Sequence, residues 1–436
     1  QEVYSVLGGM VAWKGETEAC GDTRLVYFAH VETRGAWETD LLVVNASREA
    51  MAGSIIGYDG DGEFVSRIDL DLPSWGRRKI TVGAPGEGFD QPDRIRYAVL
   101  YTSSETVSAF EKLYIQGRYS AAVSAVSTPE VNGETLSIPH IASDADWATG
   151  IALVNTTTDP RTLSFRFNDG SPEKTLAMKP LEHITFRIRD LFSGRPQPGI
   201  SGVDIGNAGG VVGMVLFVRE KAKILSGILI KDDLAGTLLY PHVPLGSGWE
   251  TGIVARNAAT VPVTVEIHPY SESGDALPIL TQNVEAGDRF LGIASLLDLP
   301  EETAWLRLAA PSPVLTGLEL FTRGQAMAGF ETTHIDRRSG VFPNIDSSSV
   351  AGIAVVNLEE EPASVTFTAC NDDGWTVAEK TVTLGGYSRF VSYPAEIFGA
   401  GLFGATYIRY ESDRLLAGFQ LNVSADGRML DALSGT

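Results

Sequence analysis

At 436 residues the chain is too long for one ordinary hydrophobic core, which suggests three or four domains. Its 55 acidic against 34 basic side chains give a net charge of −21, which repels phosphate backbones and argues against a nucleic-acid partner. The 46 glycines and 21 prolines imply many turns without a collagen period, and the longest apolar run, at 209–218, is shorter than the roughly 20 residues of a membrane-crossing helix.

In chain order, residues 1–26 read as an N-terminal arm whose "EVYSVLGGMVAW" is strand-like. The arm is expected to complete a sheet of the last module or of a neighbouring molecule. Cys20 lies within the arm and Cys370 near the other end of the chain, neither with a CxxC or metal-ligand neighbour. They are a candidate disulfide in an oxidising compartment, and two buried thiols otherwise.

From residue 28 one phrase recurs: "FAHVETRGAWETDLLVVN" at 28–45, "IPHIASDADWATGIALVN" at 138–155, "YPHVPLGSGWETGIVARN" at 240–257 and "FPNIDSSSVAGIAVVN" at 342–357. Asn45, Asn155, Asn257 and Asn357 are spaced by 110, 102 and 100 residues. Trp37, Trp147 and Trp249 keep the same register, as do His30, His140 and His242, with Asn344 in the fourth place. A period near 100 exceeds that of helical solenoids and single propeller blades and matches one β-sandwich. The reading is an all-β chain of four tandem sandwich repeats, at 27–136, 137–238, 239–340 and 341–436.

Within each repeat the apolar–Pro pair is expected to start an edge strand, where a missing N–H is tolerated. The Trp is expected to cover the end of the sandwich core and the Asn to close the next strand. A period-two strand follows, with Val263, Val265 and Ile267 on one face and Thr264 and Glu266 on the other. Then come an acidic hairpin containing Gly, a strand pair around a short apolar turn, and two closing strands, about seven in all. The first repeat replaces the apolar turn with "GAPGEGFDQPD" at 83–93, read as an inserted surface loop and the place to seek any hydrolase site.

The "[FIY]-P-[HN]-[IV] … W-x-T … N" phrase, followed by paired strands and "L-x-G-[FL]", resembles tandem immunoglobulin-like β-sandwich repeats of secreted bacterial proteins. The resemblance runs from about residue 27 to the end. It implies an extracellular, cell-surface or periplasmic binding or structural role, and no particular reaction.

Each candidate chemistry has a plainer counterpart. His30, His140 and His242 could converge on a metal if the repeats surrounded a pseudo-fourfold axis; the expectation is that each bonds a loop of its own repeat. Asp59 and Asp61, and Asp372 with Asp373, could hold Ca²⁺, but the EF-hand spacing is missing and hairpin turns want the same residues. "GAGLFG" at 399–404 has dinucleotide-site spacing but precedes a strand-like segment. Trp37, Trp147 and Trp249 read as packing residues, whereas Trp75 and Trp375 are candidate ligand contacts. The sequons at Asn45, Asn155 and Asn422 read as chance. No G-x-S-x-G, H-E-x-x-H or P-loop occurs, and sequence cannot supply the carboxylate separation of a glycosidase. The leading expectation is a non-enzymatic extracytoplasmic scaffold that associates with itself, without a cofactor. The alternatives are a carbohydrate-binding protein using exposed aromatics, with Ca²⁺ assistance, and a glycoside-type hydrolase.

Overall fold

The structure, a computed structural model, describes residues 6–7, 10–11, 23–104, 106–127, 133–244, 248–332, 336–345 and 349–435. It is nearly all β, in antiparallel sheets. No described helix is long and apolar enough to cross a membrane.

Residues 135–229 show the building plan. Their strands are Thr135–Ile138, Ala148–Asn155, Arg161–Phe167, Lys174–Met178, His183–Arg187, Val203–Gly206, Val211–Arg219 and Ile224–Leu229. Counted first to eighth, they form one sheet in the order first, sixth, third, fourth and another in the order fifth, second, seventh, eighth. The same two orders recur in the strands between Arg24 and Ser124, between Thr237 and Glu331, and between Asp336 and Ser434. In the last module the sixth and seventh strands are one continuous strand, Tyr407–Ser424, that serves both sheets. There are thus eight strand positions where sequence suggested about seven.

The strands begin at Arg24, Thr135, Thr237 and Asp336, a few residues before the boundaries drawn from the repeated phrase. The reason is that the apolar–Pro pair ends the first strand and does not start it. Pro139, Pro241 and Pro343 follow directly on the strands closing at Ile138, Tyr240 and Phe342, and a residue without an N–H stops the ladder there. In the arm, Val6–Leu7 pairs with Met10–Val11. Cys20 and Trp13, and with them the proposed Cys20–Cys370 bond and the docking of the arm, lie outside the described residues; Cys370 itself is buried.

The second strand of each module is apolar on both faces because both are covered. Ile253 and Ala255 enter their own sandwich core, while Val254 joins a cluster with Ile151, Leu153 and Phe217 of the preceding module. The eighth strands pack in a cycle. Tyr119–Ser124 touches Ile224–Leu229 and Leu430–Ser434, and Ala326–Glu331 touches the same two. The modules therefore close into a ring with these four strands at its axis. Small residues make the approach feasible: a Cβ added to Gly227 would lie 2.7 Å from Val123.

The 83–93 loop of the first module is tied down. Phe89 is buried in that module's core and its N–H donates to Val82 O at 3.0 Å. "GAGLFG" follows the short helix Pro394–Phe398, begins with a 3₁₀ turn, and leads into the strand from Tyr407. It is a turn between strands, with no crossover helix behind it.

Candidate functional site

The recurrent Asn45, Asn155, Asn257 and Asn357 are fully buried at the end of the second strand. Each Nδ2 donates to the carbonyl four residues ahead, Glu49, Asp159, Val261 or Glu361, at 2.8 Å. Each also reaches the turn between the fourth and fifth strands, at Pro73 O, Lys179 O, Val284 O or Gly385 O, 2.8–3.1 Å away. The Asn thus fixes one turn against another. Asn257→Ala would leave the buried Val284 carbonyl and two part-buried ones without this donor and is expected to cost about 3 kcal/mol of stability in urea unfolding. A loss below about 1 kcal/mol would contradict this role.

That turn is the receiving half of a joint. Two residues before the fifth strand it holds Trp75, Leu181, Gly287 and Tyr387, all left-handed, at φ 61°, 58°, 71° and 54°. For the three non-glycines this costs about 1 kcal/mol each, sustained by the contacts around them. The hairpin between the third and fourth strands of one module docks on this turn of the next, and the fourth module docks on the first. The hairpin glycines Gly274 and Gly374 have φ of 94° and 79°, and an added Cβ would stand 2.1 Å from Gly386 O and 2.2 Å from Ser74 O. Only glycine fits.

An aromatic donor closes three of the four joints. Tyr97 hydroxyl donates to Leu181 O at 2.9 Å, Trp305 Nε1 to Tyr387 O at 2.9 Å, and Tyr407 hydroxyl to Trp75 O. Each acceptor is the left-handed residue of the following module. At the remaining joint Ser201 donates to Asp288 at 2.8 Å, and Arg256, 1% exposed, pairs with Asp204 at 2.6 Å.

The first residue of the fifth strand, Arg77, His183, Arg289 or Arg389, points back at the His or Asn of the repeated phrase in the preceding module. His30 Nδ1 meets His183 Nε2 at 3.2 Å with the rings stacked. Arg389 Nη1 donates to His242 Nδ1 at 3.0 Å. Arg77 Nη2 donates to Asn344 Oδ1 at 3.1 Å and Nε to Pro343 O at 2.9 Å. Arg289 donates to Ile141 O at 3.1 Å and Ser201 O at 2.6 Å, beside the buried His140. The histidines were expected to bond loops of their own modules; instead they face the next module, because strand ends protrude where modules meet. Burial pulls His30 down to about 4, and burial with a facing guanidinium, Arg289 or Arg389, pulls His140 and His242 to about 3. His183 is lowered well below the usual imidazole range, first by burial and then by His30.

Only His30 and His183 meet, as a pair, and no group of three or more His, Cys, Asp or Glu suited to a metal occurs among the described residues. The acidic hairpins have protein partners. Asp59 accepts N–H bonds from Asp61 and Glu63 and pairs with Arg94, and Asp61 pairs with Lys179 of the next module. Asp372 accepts from Arg77 and Thr406, both at 2.7 Å, while Asp373 is exposed.

Among the tryptophans only Trp75 departs from expectation. Trp37, Trp147 and Trp249 are half-buried and pack against clusters of buried hydrophobic residues, as packing residues would. On their outer side Trp37 stacks on Tyr119, and Arg219 and Arg323 cover Trp147 and Trp249. Trp75 is half-buried beneath the Arg409 guanidinium at 4.5 Å. Trp375 is 71% exposed at its hairpin. Sequence reasoning missed Arg77, His183, Arg289 and Arg389, although their spacings of 106, 106 and 100 carry the period.

No protein-family model matches the chain, and no curated protein matches it. Among solved structures, a glycoside hydrolase family 32 protein from Bifidobacterium adolescentis is 9% identical, with 94% of this chain and 95% of that chain covered and a TM-score of 0.16. Dimeric latent PorU from Porphyromonas gingivalis is 8% identical, with 75% of this chain and 31% of that chain covered and a TM-score of 0.15. Likenesses this faint carry no argument about fold or activity.

Proposed function

We propose that the protein is a non-enzymatic extracytoplasmic interaction protein that associates with copies of itself through the outer edge of its third and fourth modules. One comparison supports this reading. The fifth strand is an edge strand in every module. Its outward positions are Lys79 and Thr81 in the first module and Thr185 and Arg187 in the second. In the third and fourth they become Leu291 with Ile293 and Val391 with Tyr393, the last just past its strand's end, and these are 39–50% exposed. Leu296 and Phe403, in the turns that follow, are 78% and 94% exposed. An exposed edge strand is a template for pairing, and polar side chains on it prevent that. Two modules have this protection and two lack it, so the apolar stretch is a surface for contact.

Light scattering after size exclusion tests the reading. Wild-type protein is expected to run as a dimer or larger species at tens of micromolar, and the Leu291→Lys/Val391→Lys double variant as a monomer. A wild-type monomer at all concentrations, or a variant that assembles equally well, would refute it.

A further inference from the structure

The ring leaves a cavity of about 720 Å³ where the axial strands end. Its wall includes Ser124, Leu229, Glu331 and Ser434, each the last residue of the eighth strand in its module or close to it. All four modules therefore build it, and no single module could. This volume lies within the usual range for small-molecule pockets.

Its charge is opposite to that of the chain. Five Lys and Arg side chains and three Asp and Glu line it, in a protein of net charge −21. Some of the cations are already neutralised: Arg338 pairs with Glu359 at 3.6 Å and Arg409 with Glu411 at 2.9 Å. Lys231 and Arg337 meet no carboxylate among the described residues. Arg409 also lies over the Trp75 ring, 4.5 Å from its centroid. Between these donors the wall is aliphatic, with Val26, Val107, Leu229 and Val341.

We infer that this axial cavity binds a small organic anion, a molecule with a carboxylate, phosphate or sulfate ester on a compact carbon body. The unpaired cations receive the oxyanion and the aliphatic wall receives the body. An extended polyanion would have to lie across the acidic outer surface, which repels it. The site is independent of the outer edge strands, so either reading can fail alone.

Calorimetric titration of the full chain with citrate, D-glucuronate, inorganic sulfate and glucose, at matched ionic strength, tests the inference. Citrate or glucuronate is expected to bind at millimolar or lower concentration and glucose not at all. Lys231→Glu and Arg337→Glu should each weaken that binding at least tenfold with the thermal midpoint unchanged. If one variant fails to fold, the other carries the test. Binding of sulfate alone, equal binding of glucose, no binding of either organic anion at 20 mM, or unchanged affinity in a folded variant would each overturn the inference.

Discussion

Arg77→Ala is expected to be the most damaging single substitution at the joints, weakening the fold by about 3–5 kcal/mol in urea unfolding. The Arg77 side chain is 5% exposed and sits where the fourth module meets the first. It donates to Pro343 O, Asn344 Oδ1 and Asp372 Oδ1, so its planar fork holds two loops of the other end of the chain. Truncation leaves the first two acceptors buried and unpaired. Arg77→Lys should recover little, because one ammonium cannot reach three acceptors lying in different directions. A loss below about 1 kcal/mol for the alanine variant, or full rescue by lysine, would show that this joint does not hold the ring.

The second large effect is on acid stability. His242 in the folded chain is pulled to about 3, mainly by burial and then by Arg389, against about 6.5 when unfolded. Above pH 6.5 it is neutral in both states and contributes fully. As pH falls toward 3 the unfolded chain binds a proton that the folded chain refuses, and stability is lost. At pH 5 the loss is about 2 kcal/mol for this one residue. The buried Glu111 and Glu319, both raised well above the usual carboxylate range by burial, act in the opposite sense. Comparing wild type with His242→Asn cancels them. The variant keeps an acceptor for Arg389, as Asn344 does for Arg77, and should lose about 2 kcal/mol less than wild type between pH 7 and pH 5. Parallel stability curves would contradict the burial of a neutral imidazole at this joint.

Sequence made the period, the strands and the invariant Asn legible because each is a local pattern. Val263, Val265 and Ile267 are buried and Thr264 and Glu266 exposed, as the alternation requires. What the repeated phrase does was not legible. His30 and His183 are 153 residues apart, and nothing in either neighbourhood marks the other as its partner. The apolar–Pro pair pointed to a strand, but whether proline starts or stops it depends on which side the ladder lies. The Trp positions had the register of packing residues and pack on the clusters, but the Arg219 and Arg323 side chains that cover Trp147 and Trp249 come from a strand about 70 residues further on. The axial cavity was hidden for the same reason, since its charges come from four modules that meet only on closure.

The ring closes where the fourth module docks on the first. Small-angle X-ray scattering tests it most directly. A closed ring of 436 residues predicts a radius of gyration of about 22 Å for the monomer at low concentration. Four sandwiches strung in a line would give a value on the order of 40 Å with a long tail in the distance distribution, and that profile would contradict the account.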